Sequence, residues 1–439
     1  MKQFCILFFS CCLTASLFAL PNGNWKQKAE SPDFLHRAVK QVTDVIVYDI
    51  YSPPVASRIY AYVAIAGYEA AMQQNPHYIS FAGQLHDLNP VPADAEEYCY
   101  ALASVQAILS VGKALIISEN RIEDFRKRIL QEFEKTGMPR KIFDNSLLHG
   151  KVVADHILEW AARDNYKQTR SSPKYSVAED EGTWKPTPPA YFKAVEPHWN
   201  EIRTFVIDSA QEFQPLSAVQ FSTEKNSQFY KEALKVYDAG LKLTLKQKQI
   251  ALFWDCNPFK MNIHGHVMYA TKKISPGGHW MNITRIACKK AGADFFRSAE
   301  AYAWVAIALA DSFISCWDEK YRSNVIRPET YINQYIDGHW IPLLQTPPFP
   351  EYTSGHSVIS TTASIVLTKL FGKNFSFVDS SETEFGLPVR TFSSFEAAAL
   401  EAANSRFYGG IHYMPSILNG IAEGREIGDF MLLKLKTRR

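Results

Sequence analysis

Three short segments in the last third of the chain combine cations, histidines and glycines, the residue types that bind anions and move protons. The first segment contains Lys320, and Arg327 follows it directly before Pro328. The helical pattern places Lys320 at the end of a long helix, and Pro328 should push Arg327 into an extended segment. Two such cations could converge on one anion, Arg through a bidentate fork and Lys as a point charge. Such a pair on its own is more typical of a solvated face.

The second segment is Thr353-Ser354-Gly355-His356, which follows a proline-rich approach and precedes a helical run over 357–371. A helix N-terminus offers unpaired N–H groups and a partial positive charge, so it can bind an oxyanion. Ser354 can cap this end and donate its hydroxyl to such an anion. His356 would lie in the first turn, where it could transfer a proton. The alternative is a capped helix with an incidental histidine.

The third segment ends an alanine-rich helix that begins near Phe395 and stops at Gly409-Gly410, a pair suited to a left-handed C-cap. Arg406 lies in the last turn of this helix. His412 lies just past the break, and the glycines would let the backbone approach a ligand while His412 points back at it. The alternative is a surface C-cap with unrelated charges nearby.

Read together, the three segments resemble the superfamily of vanadium-dependent haloperoxidases and type 2 phosphatidic acid phosphatases. Its pattern is Lys-x6-Arg-Pro, then Pro-Ser-Gly-His, then Ser-Arg-x3-Gly-x-His. Order and internal spacing agree with this pattern over residues 317–412. The matching residues are Lys320, Arg327, Pro328, Ser354, Gly355, His356, Ser405, Arg406, Gly410 and His412.

The resemblance implies a pocket for a tetrahedral oxyanion, which is vanadate in the haloperoxidases; phosphate can occupy the same site. His412 would be the single protein ligand of vanadium, and His356 the acid/base partner at the apical oxygen. The groups that would neutralise or donate to the other oxygens are Lys320, Arg327, Ser354, the Gly355 N–H and Arg406. Hydrogen peroxide and a halide, or a small organic substrate, would then be the reactants.

Two other functions share this pattern. In a soluble acid phosphatase His412 would form a phosphohistidine and His356 would protonate the leaving alcohol. A non-catalytic relative would bind the anion without turnover. Trp317 and Phe349 favour the haloperoxidase, because they resemble aromatic residues of its halide pocket, although plain core packing would also account for both.

Two positions depart from the family pattern. Thr353 stands where proline is usual. Ser416 stands where an Asp commonly orients the histidine of the third segment, and such an orienting partner is worth about 10–100-fold in activity or metal affinity. Glu423 and Asp429 are the candidates to replace it.

The rest of the chain predicts how these segments are positioned. Helical periodicity recurs from His36 onward, strand signals are scarce, and a polar, proline-bearing stretch over 164–212 interrupts the helices. After this stretch, helical periodicity resumes from about Ala218 through Trp254 and again from Ala291 to Lys320. We therefore expect an all-α protein, a large helical bundle over 21–439 that forms one domain or two packed sub-bundles. The 47 Lys and Arg nearly balance the 45 Asp and Glu, which gives no reason to expect a nucleic-acid partner.

The N-terminus predicts export. A lysine followed by an apolar run to Leu20 is typical of a secretory signal peptide over 1–20, and a lipid anchor at Cys11 or Cys12 is the less typical interpretation. The protein would be periplasmic or extracellular, with no membrane-spanning segment in the mature chain. Four cysteines remain after residue 20, and their pairing, like the oligomeric state, does not follow from the sequence.

Overall fold

The structure is a computed structural model that describes residues 25–92 and 96–439. It is mostly helical, which confirms the predicted all-α class. The helices are α1 (Trp25–Ala29), α2 (Pro32–Tyr48), α3 (Pro53–Met72), α4 (Tyr100–Leu115), α5 (Glu119–Glu134), α6 (Arg140–Ala161), α7 (Tyr166–Thr169), α8 (Gln228–Leu241), α9 (Leu245–Phe253), α10 (Pro276–Ala291), α11 (Phe295–Ser323), α12 (Pro328–Tyr335), α13 (Gly355–Phe371), α14 (Phe395–Tyr408) and α15 (Met414–Lys434). Two antiparallel hairpins pair β1 (Met261–His264) with β2 (Val267–Ala270), and β3 (Phe377–Asp379) with β4 (Arg390–Phe392).

The centre of the bundle is α11, which packs between α3 and α13. Nearly every residue of α3 and of the first 26 residues of α11 is buried, so both helices are covered on all sides. An amphipathic helix such as α2 covers this core from outside. Lys320 lies at the end of α11, as predicted, and this rigid helix carries it into the interior.

By length and composition α11 could cross a membrane, but its most apolar stretch is entirely buried inside the fold. A helix buried in a protein core can meet the same criterion of length and composition.

The predicted signal peptide over 1–20 lies outside the described residues, and the single domain predicted over 21–439 stays a prediction. The four cysteines in the described part of the chain are buried free thiols.

The polar stretch over 164–212 is an ordered excursion, as predicted, because its aromatic side chains reach the core. Trp184 and Trp199 are fully buried. The end of the excursion is fixed to α11 by Asp311, whose carboxylate accepts backbone N–H bonds from residues 205, 206 and 207 at 2.7–3.1 Å.

Two parts of the helix prediction are wrong. Helical periodicity was expected without a break from Ala218 to Trp254, but residues 218–227 are not helical, and Thr244 starts a separate helix with a capping box. Helix α10 was not predicted, because Pro276-Gly277-Gly278 is typical of a turn. Ser275 caps that helix, and a Cβ on Gly278 would lie 2.8 Å from the Tyr60 hydroxyl, so glycine allows a close contact with α3.

Candidate active site

The three sequence segments converge in the structure on one cavity. Lys320 comes from the end of α11, and Arg327 precedes α12 in extended conformation (φ −76°, ψ 151°), as Pro328 predicts. Ser354 caps the N-terminus of α13 through the Ser357 N–H. Gly355 and His356 open that helix, Arg406 lies in the last turn of α14, and His412 lies between α14 and α15. The residues of this set that line the cavity are Gly355, His356, Arg406 and His412.

The turn between α14 and α15 needs its second glycine. Gly410 has φ +76°, and a Cβ there would lie 3.0 Å from Trp340. Its backbone therefore adopts a left-handed conformation in a space too small for a side chain. Gly409 is right-handed, so only one residue of the pair is the left-handed C-cap.

Backbone carbonyls hold the first two cations in place. Lys320 Nζ donates to the carbonyls of Pro350 and Glu351, each at 3.2 Å, and to that of Thr353. Arg327 donates to the carbonyls of Phe349 and Ile411, both at 2.9 Å. Carbonyls fix the positions of these side chains without cancelling their charges.

The third cation is held in a similar way by a different part of the chain. Arg406 Nη1 donates to the Trp254 carbonyl at 2.6 Å. Arg406 and Arg327 are both buried. Burial, together with the charge of Arg327, lowers the pKa of Lys320 to about 8, and burial lowers the pKa of Arg327 to about 10.

Glu351 takes the role that the sequence pattern assigns to an Asp at position 416. Its Oε1 accepts the Tyr413 N–H at 3.0 Å and lies 2.8 Å from His412 Nδ1. Since Oε1 is an acceptor here, His412 carries its proton on Nδ1, and Nε2 keeps its lone pair. Arg327 Nη1 lies 3.1 Å from Nε2, where it can donate to that lone pair.

The two replacements considered from the sequence are both wrong. Glu423 accepts hydrogen bonds from Ser315 at 2.9 Å and Thr353 at 2.7 Å instead. Asp429 is exposed on α15. The sequence does not point to Glu351 as the partner of His412, because the two residues lie 61 positions apart and no local spacing links them. Ser416 retains a longer contact, with its Oγ 3.4 Å from His412 Nδ1.

Both histidines of the site are neutral. Burial lowers the pKa of His412 well below its usual value, and Arg327 and Lys320 lower it further. Burial and the Arg406 guanidinium do the same to the pKa of His356. A neutral imidazole can accept a proton or bind a metal, so either ring could serve as a base or as a metal ligand.

The residues present fit a bound oxyanion. Arg327 Nη2, Arg406 Nε and His356 Nε2 are buried polar atoms with no hydrogen-bond partner among the described residues. Buried donors without partners cost stability, so the two guanidinium N–H groups indicate a missing acceptor. Vanadate would be held by His412 Nε2, by the three cations, and by Ser354 and the Gly355 N–H.

Two aromatic residues form the apolar wall of the same cavity. Trp317 and Phe349 pack with ring centroids 4.9 Å apart, and both line the cavity with His356 and His412. Lys320 Nζ lies 5.2 Å from the centre of the Phe349 ring. The wall therefore excludes water on one side of the cations.

The fold is a helical bundle whose buried cations and neutral histidines lie around one cavity. This arrangement is typical of an oxyanion-binding enzyme. A family model described as "VCPO second helical-bundle domain" matches residues 300–438, which include all three segments. A solved structure described as the first bacterial vanadium-dependent iodoperoxidase is 49% identical, with a TM-score of 0.88, and the match covers 93% of this chain and 98% of that one. The chain therefore belongs to the vanadium-dependent haloperoxidases, enzymes whose cofactor is vanadate.

More distant structures share the fold. The holo form of a bacterial vanadium-dependent chloroperoxidase has a TM-score of 0.66 at 16% identity, covering 88% of this chain and 93% of that one. The apo form of such a chloroperoxidase has the same TM-score at 14% identity, covering 87% and 94%. No curated protein matches the sequence.

Proposed function

We propose that this protein uses vanadate and hydrogen peroxide to oxidise iodide. The observation that carries the proposal is a pair of unpartnered donors next to the neutral His412. Arg406, whose Nε has no partner among the described residues, lines the same cavity as His412. Arg327, whose Nη2 has none either, lies with its Nη1 3.1 Å from His412 Nε2. The choice of iodide rests on the 49% identity to a structure described as an iodoperoxidase. The aromatic wall suits a large, polarisable anion.

Each residue of the site has a separate task. His412 Nε2 binds the cofactor, and Glu351 keeps the proton on Nδ1. Lys320, Arg327 and Arg406 balance the negative charge. Lys320 acts through its charge alone, because its three N–H groups already donate to carbonyls. Each charge-assisted hydrogen bond from an arginine is worth about 1.5–3 kcal/mol. When bound, vanadate supplies Lewis-acid activation of the peroxide.

His356 is the acid/base group of the proposal. Its Nε2 is buried, has no partner among the described residues, and faces a cavity that it shares with His412. Because burial keeps the ring neutral, Nε2 can accept a proton from incoming peroxide and return it later. Trp317 and Phe349 would bind the halide beside it.

A halide comparison tests this proposal. The purified protein, in a buffer free of phosphate, is assayed with hydrogen peroxide and iodide, bromide or chloride, with and without orthovanadate. We expect vanadate-dependent oxidation that is fastest with iodide. Faster oxidation of chloride would contradict the choice of halide. Hydrolysis of para-nitrophenyl phosphate without peroxidase activity would instead indicate the phosphatase.

We also propose that the protein is exported to the periplasm or the cell exterior. The support is the lysine and apolar run of residues 1–20. N-terminal sequencing of protein recovered from the exported fraction should begin after this run. Recovery of the intact N-terminus from the cytoplasm would contradict export, and a lipid on Cys11 or Cys12 would show an anchored form.

A further inference from the structure

A second cluster of potential metal ligands lies at the edge of the active-site cavity. Cys256 follows α9, His279 lies in α10, and Glu382 follows β3. All three are buried, and their ligand atoms lie within 4.8 Å of one another. Cys256 also lines the cavity that contains His356 and Arg406. No local sequence pattern predicts this group, because its members are separated by 23 and 103 residues and no CxxC pair marks them.

The distances between the three ligand atoms are close to the ligand–ligand distances of a tetrahedral zinc site. Cys256 Sγ lies 3.4 Å from His279 Nδ1, and His279 Nδ1 lies 3.1 Å from Glu382 Oε1. Cys256 Sγ lies 3.8 Å from the same Oε1. Zinc bond lengths of about 2.0–2.3 Å at tetrahedral angles give ligand separations of about 3.3–3.5 Å, which lie between the shortest and the longest of these distances.

The other nitrogen of His279 is already held as in known metal sites. Nε2 lies 2.8 Å from Asp379 Oδ2, and both side chains are fully buried. A carboxylate on the far nitrogen keeps the proton there and leaves Nδ1 free to bind a metal. With that tautomer the Nδ1 lone pair faces the Glu382 oxygen, so either a second proton or a cation must lie between them.

We propose that Cys256, His279 and Glu382 bind a divalent zinc ion, with Asp379 orienting the histidine. Cys256 binds as the thiolate, so its proton is released to solvent when the metal enters. Three protein ligands leave a fourth position for water. The three ligands differ from the residues that would hold vanadate, and the test of the zinc site does not depend on peroxidase activity.

The zinc ion would stabilise one side of the active site. The Trp254 indole stacks on His279, with ring centroids 4.5 Å apart and planes at 17°. The carbonyl of the same Trp254 accepts the hydrogen bond from Arg406. Fixing His279 therefore fixes the backbone that positions Arg406.

The metal content of the vanadate-free wild-type protein tests the proposal directly. We expect one zinc ion per chain after dialysis, measured by elemental analysis. Cobalt substitution should produce a thiolate-to-metal absorption band. Wild-type protein that contains no zinc, and does not take it up from a competing chelator, would overturn the proposal in favour of a protonated His279 between two carboxylates.

Two variants and a control localise the metal. Cys256→Ala should lose the zinc, whereas Cys288→Ala, which removes another buried thiol from the chain, should keep it. Asp379→Asn should weaken zinc binding about 10- to 100-fold, as measured by chelator competition. Equal zinc content in Cys256→Ala and wild type would also overturn the assignment, and circular dichroism checks that each variant is folded.

Discussion

The two nitrogens of His412 face different partners, and that difference sets what the ring can do. Nδ1 faces the Glu351 carboxylate at 2.8 Å, and Nε2 faces the cavity and Arg327 at 3.1 Å. Burial raises the pKa of Glu351 to about 7, while Arg327 and Lys320 favour its charged form. The carboxylate thus makes Nε2 a better ligand, at the cost of burying a charge.

Glu351→Gln tests this role. The amide oxygen can still accept from Tyr413 and His412, so the fold should persist, but the ring loses the negative charge that raises its basicity. We expect about 10- to 100-fold lower peroxidase activity and weaker vanadate binding, measured by titration. Asp429→Asn, at the exposed position considered from the sequence, is the control and should behave as wild type. Unchanged vanadate affinity in Glu351→Gln would contradict the role.

At the scale of elements, buried polar groups attach the outer segments to the central helix. Asp311 of α11 accepts three backbone N–H bonds from the excursion over 164–212, including one from Phe205. His36 of α2 lies 2.9 Å from the Tyr302 hydroxyl of the same helix. These contacts align α11, and α11 positions Lys320 and Trp317.

Asp311→Ala should destabilise the protein by about 3 kcal/mol, because buried N–H groups lose their acceptor. The free energy of unfolding in urea measures the change. Asp155→Ala removes an exposed acid from α6 and should change stability by less than about 0.5 kcal/mol. Equal effects of the two substitutions would show that Asp311 does not hold the excursion.

His36 predicts a pH dependence of stability. Burial, with the charge of Lys289, lowers the pKa of His36 to about 4, below its usual 6.5. Between these pH values the unfolded chain binds the proton and the folded chain does not, so this contribution to stability is lost as pH falls from 6.5 to 4. His36→Gln should reduce that slope in urea unfolding, whereas His77→Gln, at an exposed position, should keep it. Equal slopes in all three proteins would contradict the prediction.

At the scale of the whole molecule, the sequence predicts what is local and misses what depends on the fold. The helix class, the extended Arg327 and the capped start of α13 follow from neighbouring residues. Glu351 and the cluster around His279 could not be found this way, since their partners are distant in sequence. Helix α10 was missed because its glycines serve packing against α3 rather than a turn.

We propose that His412 anchors vanadate in this pocket. The most direct measurement is a titration of orthovanadate into wild-type, His412→Ala and His356→Ala proteins, following both vanadate binding and peroxide-dependent iodide oxidation. We predict that wild type gains activity with vanadate and loses it as phosphate is added. His356→Ala should still bind vanadate with reduced turnover, and His412→Ala should stay inactive at every vanadate concentration. Vanadate-dependent activity in His412→Ala would contradict the claim.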